Sequence, residues 1–219
     1  MARIAKKSGA YHHGDLRRVL LDTATRVVEK EGLGALSLHA LARKAGVSSG
    51  APYHHFESRE QLLAAIALEG YERLADEMKR GAEEAEGGAA RGGETAGEAH
   101  LRGLGHGYVR FALTHRGHFR VMFRPELKRQ LRKDTGLPID EPFAMLKRAI
   151  ARCQDEGTLP AGDPRPLVLL AWSAVHGASV LWIDGPLADE ALVSGDDALG
   201  PAVADTLVGL LRGASRARR

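Results

Sequence analysis

Residues 36–62 read Leu-Ser-Leu-His-Ala-Leu-Ala-Arg-Lys-Ala-Gly-Val-Ser-Ser-Gly-Ala-Pro-Tyr-His-His-Phe-Glu-Ser-Arg-Glu-Gln-Leu. Leu38, Leu41, Ala42 and Ala45 recur at helical spacing, so a first short helix buries one face. Ala42 is small enough for a second helix to cross closely. Gly46 stands where the chain must reverse, and glycine reaches positive φ without a Cβ clash. Val47 is placed to plug the angle between the helices, and Ser48 to cap the second. Ser58 opens a Ser-x-x-Gln capping box with Gln61, which starts a third. Helix, tight turn, helix is the layout of a helix-turn-helix unit.

Outward from this stretch the pattern stays helical. Asp15 can cap a first helix whose apolar face is Leu16, Val19, Leu20, Thr23 and Val27, ending near Gly32. A helix from about Arg59 to Arg80 carries Leu62, Leu63, Ile66, Leu74 and Met78. Residues 81–97, rich in Gly, Ala and Glu, offer almost nothing to bury and read as a frayed helix end and flexible linker. Helical patterns resume over 101–115, 119–123, 143–156, 166–183 and 200–211. No stretch alternates with period two and β-branched enrichment, so the expected fold is all-α. Its expected units are a head (1–60), a connecting helix and linker (61–97) and a helical body (98–219).

Hydrophobic residues make up 44% of the 219 and charged residues 27%, a globular balance rather than a disordered one. The basic start, Met1 to Ser8, is followed by no apolar stretch, so no secretory leader is expected. No run of about 18 apolar residues is evident, and no membrane partner is expected. The single cysteine, Cys153, allows no intrachain disulfide and suits a cytoplasmic location. Charge divides unevenly. Up to Arg59 ten basic residues face five acidic ones, giving +5; the chain carries +3, so the remaining 160 residues sum to −2. A basic head on a slightly acidic body is the footprint expected of contact with phosphate, and from charge alone equally that of a merely soluble basic surface.

Gly46-Val47-Ser48, Tyr53, His55-Phe56, Ser58-Arg59-Glu60 and Leu62-Leu63 resemble the DNA-binding signature of the TetR family of transcriptional regulators. The family commonly has Lys where Arg59 stands, and Leu or an aromatic where Pro52 stands. Tyr11-His12-His13-Gly14-Asp15-Leu16-Arg17 resembles the family's lead-in to its first helix. Trp172-Ser173-Ala174-Val175-His176-Gly177 resembles the WHG-type C-terminal domain of one branch. The resemblance implies a homodimeric, ligand-responsive regulator that binds a palindromic double-stranded DNA operator, most often as a repressor.

In a helix-turn-helix unit the N-terminal residues of the second helix meet base edges. The candidates here are Ser48, Ser49, Pro52, Tyr53 and His54. Serine hydroxyls serve either base type, and the Pro52 ring suits a thymine methyl. The resemblance places Tyr53, His55 and Arg59 at phosphate contacts; His55 serves equally as a cap. Lys44 adds a phosphate donor, and Arg3, Lys6 and Lys7 form a candidate backbone or minor-groove arm. Phe56 reads as a core plug.

For the body, the resemblance makes 166–183 and 200–211 the dimer helices. Leu167, Leu170, Ala171, Ala174, Ala178, Leu181, Val203, Leu207 and Leu210 are the candidate interface. Candidates for lining an effector pocket are Tyr108, Phe111, Phe119, Met122, Phe123, Phe143, Leu146, Trp172, Val175, His176 and Trp182. Aromatic and Met residues at such spacing are more often core than pocket. Trp172 and His176, four apart, either present polar atoms to a ligand or satisfy each other. The expected effector is small and largely apolar.

Enzyme and cofactor motifs fall away. Gly46-Val47-Ser48-Ser49-Gly50 matches a nucleophile elbow, but a helix precedes it and no strands surround it. Gly103-x-Gly105-x-Gly107 follows no strand and lacks dinucleotide spacing, so no cofactor is expected. The His12-His13, His54-His55 and His115/His118 pairs lack co-ligands, so no metal is expected. An activator, or a helical binding protein or enzyme with an incidental basic head, are the alternatives to a repressor.

Overall fold

The computed structural model describes residues 13–88, 92–127, 131, 138–190 and 192–216. Among these residues there are eight α-helices and no strand, as the sequence leads one to expect. They are α1 (His13–Glu31), α2 (Leu38–Ala45), α3 (Arg59–Gly87), α4 (Ala96–Thr114), α5 (Arg116–Met122), α6 (Glu141–Asp155), α7 (Arg165–Ile183) and α8 (Asp196–Arg216). The basic arm of Arg3, Lys6 and Lys7, with Tyr11 and His12, lies outside the described residues.

The head is α1, α2 and the start of α3. α1 buries Leu20, Leu21, Ala24, Val27 and Val28 and stops where Gly32 turns with φ 80°. It begins at His13, so Asp15 sits inside the helix rather than at its cap. Ser37 caps α2 by accepting from the Ala40 amide at 3.1 Å. Gly46, at φ 69°, ends α2 in the left-handed region, and its amide donates to the carbonyls of Ala42 and Arg43. Phe56, 1% exposed, plugs the junction of α1, α2 and α3, with the Arg17 guanidinium 5.3 Å from its ring centroid.

The body is organised around α4, which packs against α3, α6, α7 and α8. Residues 81–87 are not a frayed end. α3 runs unbroken to Gly87, with Gly81 and Ala82 buried. The reason is a backbone-to-backbone crossing. A methyl built on Gly81 would strike the Gly103 carbonyl and the backbone of Gly107. One built on Gly107 would strike the Glu77 carbonyl, and one on Gly103 the Gly81 carbonyl. The glycines at 103 and 107 are thus packing residues.

The connection after α3 is pinned as well. Glu94 takes a two-bond fork from Arg102 at 2.8 and 3.0 Å, both side chains nearly buried. Thr95 and Glu98 form a capping box on α4, Glu156 of α6 accepts from the Gly97 amide at 3.1 Å, and Arg212 of α8 donates to the Gly93 carbonyl. A flexible linker therefore does not describe residues 92–95.

α7 is the helix that bears on the membrane expectation. Its mean hydropathy of 1.6 over a membrane-length window makes it apolar and long enough to cross a bilayer by composition. In the fold, Val168, Ala171, Val175, Ser179 and Trp182 turn inward and complete the core. Leu169, Leu170, Val180 and Leu181 face outward.

The glycine crossing sets a stability test. Gly107→Ala forces α3 and α4 apart and is expected to cost about 1–3 kcal/mol, the usual range for overpacking. Gly209→Ala on α8, whose added methyl meets nothing within 4 Å, is the control. Urea unfolding followed by circular dichroism checks both; equal midpoints would refute the crossing as a constraint.

Candidate nucleic-acid interface and effector pocket

After α2 the chain does not form a long second helix. Residues Ala51–His54 make a single 3-10 turn, with the Tyr53 amide donating to the Gly50 carbonyl and the His55 amide to the Pro52 carbonyl. Pro52 has no amide to extend the pattern N-terminally. Ser48 makes no side-chain cap here; its carbonyl accepts from the Ala51 amide at 3.0 Å. The turn exposes Ser48, Ser49, Tyr53 and His54 together, with Tyr53 56% exposed. His55 is half-buried. Pro52 is buried, so the expectation that its ring reaches a thymine methyl is withdrawn.

Arg59 differs most from its expected role. Its Nε donates to the Leu36 carbonyl at 2.8 Å and its Nη2 to the Leu33 carbonyl at 2.9 Å. Those carbonyls flank the 3-10 turn Leu33–Ala35; the Leu33 carbonyl also accepts from the Leu36 amide at 3.2 Å. Arg59 thus clasps the α1–α2 connection to the start of α3 and positions the reading turn. A hint was legible: a cation in the first turn of a capped helix faces an unfavourable dipole and calls for a partner elsewhere. Ser58 caps α3 by accepting from the Gln61 amide at 3.2 Å, but Gln61 Oε1 accepts from the Glu57 amide at 2.6 Å rather than from Ser58, shifting the expected box by one residue.

Lys44 points out beside this surface and pairs with Glu31 at 2.7 Å. Such exposed pairs are worth about 0–1 kcal/mol, so a phosphate can replace the carboxylate at little cost.

In the body most of the candidate aromatics converge, though not in one cavity. Tyr108, 1% exposed, bonds His176 Nδ1 through its hydroxyl at 2.8 Å and packs edge-on to Trp172 at 5.2 Å. Phe123 stands 4.7 Å from the His176 ring and Phe119 5.4 Å from Phe123, while Phe143 lies 5.0 Å from Trp172. Burial holds the His176 imidazole below its ordinary pKa and raises the Tyr108 phenol well above its own, so the pair is neutral. Trp172 and His176 are therefore each engaged with Tyr108 rather than with one another.

Behind the seam, Tyr108, Leu146, Trp172 and Val175 line an apolar cavity of about 30 Å³ together with Leu104, Ala171, Leu207 and others. That is room for about one water-sized probe, far below a ligand site. Phe111 is core instead, and Met122, 1% exposed, borders a separate pocket of about 210 Å³ with Tyr71 and Phe123. Phe111 stacks on His115, and Met122 packs against Gly70 of α3. Trp182 donates to Asp196 at 2.7 Å and ties α7 to α8. Ala171 and Leu207 turn toward the cavity, which removes Ala171 from the outward face. Leu170, Leu181 and Leu210 are exposed as expected; Leu167, Ala174, Ala178 and Val203 are half-buried.

The head and body meet through α5. Gly117 lies against the Thr25 backbone of α1, leaving no room for a side chain. Arg120 donates to the Glu29 carbonyl at 2.8 Å and to Asp184 at the end of α7. Glu69 of α3 gathers Arg18 of α1 (3.1 Å), Arg73 (2.5 Å) and His118 of α5 (3.8 Å). Burial pushes the Glu69 carboxyl up, but Arg73, His118 and Arg18 together hold it below the usual range. Burial lowers His118 to about 4, outweighing the pull of Glu69. Its ring is therefore neutral near pH 7.

Comparison with known proteins decides what this architecture is. Residues 20–66 match the family model described as bacterial regulatory proteins, tetR family, and residues 101–207 the Tetracyclin repressor-like C-terminal domain. The chain belongs to the TetR family of transcriptional regulators. It is accordingly a DNA-binding regulator and not an enzyme.

A protein of unknown function from Rhodococcus sp. RHA1 shares 33% identity with the regulator, with a TM-score of 0.72 over 94% of this chain and all of that one. The uncharacterized HTH-type transcriptional regulator YobS of Bacillus subtilis is 27% identical over 106 residues, 48% of this chain; the match spans 50% of that relative's length. The FadR regulator of Bacillus subtilis, solved with stearoyl-CoA, shares the fold at a TM-score of 0.65 and 17% identity, over 87% of this chain and 97% of that one.

Arg59→Ala and Tyr53→Phe separate positioning from contact. Arg59→Ala is expected to destabilise the free protein by about 2 kcal/mol through the lost charged hydrogen bonds. Tyr53→Phe should leave the melt unchanged and weaken DNA binding equally for all sequences. Thermal melts and competitive binding across an operator library check both.

Proposed function

We propose that the regulator is a cytoplasmic repressor that binds a palindromic operator as a homodimer and is released by a small, largely apolar effector. One observation carries the reading. The same chain presents an exposed polar reading turn on its head and an exposed apolar face on its last two helices.

The turn supplies hydroxyls and an imidazole at Ser48, Ser49, Tyr53 and His54, all exposed and backed by buried Pro52 and Phe56. Ser49 is the candidate for base readout and Tyr53 for phosphate. A single head of this size grips weakly, and a second one joined rigidly to it raises affinity through effective concentration. The apolar face meets that need. Leu210 is 68% exposed, Leu170 48% and Leu181 45%. Between them Ser173 and Gly177 keep the surface low enough for close helix packing. A second copy of this surface, related by a two-fold axis, forms a four-helix contact and sets the two reading turns at a fixed spacing.

The effector reading rests on the aromatic seam. Tyr108, Phe119, Phe123, Trp172 and His176 join α4, α5 and α7, and α5 also touches α1. A ligand parting that seam acts on the helix that abuts the head. It lowers operator affinity by as much as it prefers the parted state. The stearoyl-CoA held by the FadR neighbour supports an effector with an apolar portion.

Leu181→Glu combined with Leu210→Glu is the test of the dimer. The double variant is expected to sediment as a folded monomer and to lose about a hundredfold or more in operator affinity. Sedimentation velocity and fluorescence anisotropy measure the two effects. A wild-type monomer, or a monomeric variant with undiminished affinity, would contradict the reading.

A further inference from the structure

Beside the aromatic seam, α6 and α7 diverge to leave an open cleft of about 690 Å³. Its floor is apolar, made by Phe143, Ala151, Val168 and Leu169. Its charged rim is wholly cationic: Lys147, Arg148 and Arg165. Arg148 and Arg165 each hold an exposed carboxylate, Glu141 and Asp163. Lys147 makes no ion pair among the described residues, and its ammonium sits 5.2 Å from the Phe143 ring centroid. A lysine over an aromatic floor at the edge of an apolar cleft is a place for an anion that brings its own hydrocarbon.

The cleft adjoins the small apolar cavity of the body. Phe143 belongs to the cleft and Trp172 to the cavity, and their rings touch at 5.0 Å. Leu146 and Val168 complete the partition, Leu146 on the cavity side and Val168 on the cleft side. Phe143 is 36% exposed, so it can swing outward without breaking a packed core. The cavity holds about 30 Å³, and the Phe143–Trp172 contact is where it meets the cleft.

We propose that this α6–α7 cleft is the mouth of the effector site and takes an acyl-chain anion, its acid head at Lys147 and its tail passing between Phe143 and Trp172 into the cavity. The proposal rests on the effector reading above and adds to it the entrance, the gate and the class of ligand. Lys147 selects the head group, since a positive amphiphile meets its like charge and a neutral one gains only burial. The apolar lining selects the tail.

The test uses the full-length protein carrying Trp182→Phe, so that Trp172 is the sole indole. Decanoate, decanol and decyltrimethylammonium, all below micelle formation, are titrated against Trp172 emission. Decanoate is expected to give a saturable shift, decanol a weaker one and the cation none. Lys147→Gln should weaken decanoate about fivefold, the value of one partly exposed ion pair, and leave decanol unchanged. Phe143→Ala should speed decanoate association without changing the thermal melt.

Equal responses to all three amphiphiles, or decanoate binding indifferent to Lys147→Gln, would overturn the mouth. So would the absence of any Trp172 response. Operator anisotropy with decanoate present keeps the two readings apart. Binding that obeys the Lys147 rule but leaves operator affinity unchanged supports the mouth and refutes its effector role. Operator release by a compound that does not compete with decanoate refutes the mouth and leaves the effector reading standing.

Discussion

The close approach of α3 and α4 at Gly81, Gly103 and Gly107 is the constraint on which the remaining architecture depends. α3 is shared: its first turns complete the head, burying Leu62, Leu63 and Ile66, and its later turns enter the body. Because the two backbones touch, α4 can lie against α3 at only one height. α4 in turn carries Leu104 and Tyr108 to the cavity and contacts α6, α7 and α8. Interiors packed this closely do not deform continuously; they shift as units. A body held this way transmits displacement rather than absorbing it.

α5 is where that property becomes useful. One short helix carries Phe119 into the aromatic seam, Gly117 against α1 and Arg120 to both Glu29 and Asp184. The carboxylate of Glu69, with Arg18 of α1 and Arg73, adds a second tie between α3 and α1, and the neutral, buried His118 of α5 packs beside it. Neither tie needs a change of protonation near neutral pH, since burial keeps His118 uncharged down to about 4. The head is thus positioned by packing and fixed charges, and Arg59 holds the loop that presents the reading turn.

Much of this was legible in the chain, and the reasons are specific. The helices show because their apolar faces repeat with the right period, and Gly32, Gly46 and Ser58 mark ends, whereas Asp15 and Ser48 do not cap and Ser37 does. The exposed reading residues follow from the turn and the family resemblance together. What escaped depends on backbone proximity, which leaves no periodic trace. Residues 81–87 look empty of hydrophobic side chains because the contact there is made by the main chain itself. Arg59 looked like a phosphate ligand because its carbonyl partners lie more than twenty residues upstream. Pro52 shortened the second helix to one turn and was itself buried. The aromatic candidates were correctly gathered in the body, but which of them line space and which fill it is decided by neighbours on other helices. Ala171 and Leu170 make the point: one residue apart, they face opposite sides of α7.

The most direct test of the account is fluorescence anisotropy of the purified protein on the DNA upstream of its own coding sequence, with scrambled competitor and a salt series. The account predicts binding at least about a thousandfold tighter than to the competitor, with affinity falling steeply as salt rises. Equal affinity for both DNAs would contradict site-specific regulation at that promoter. No binding to either, even at low salt, would contradict the reading turn as a DNA-contacting surface.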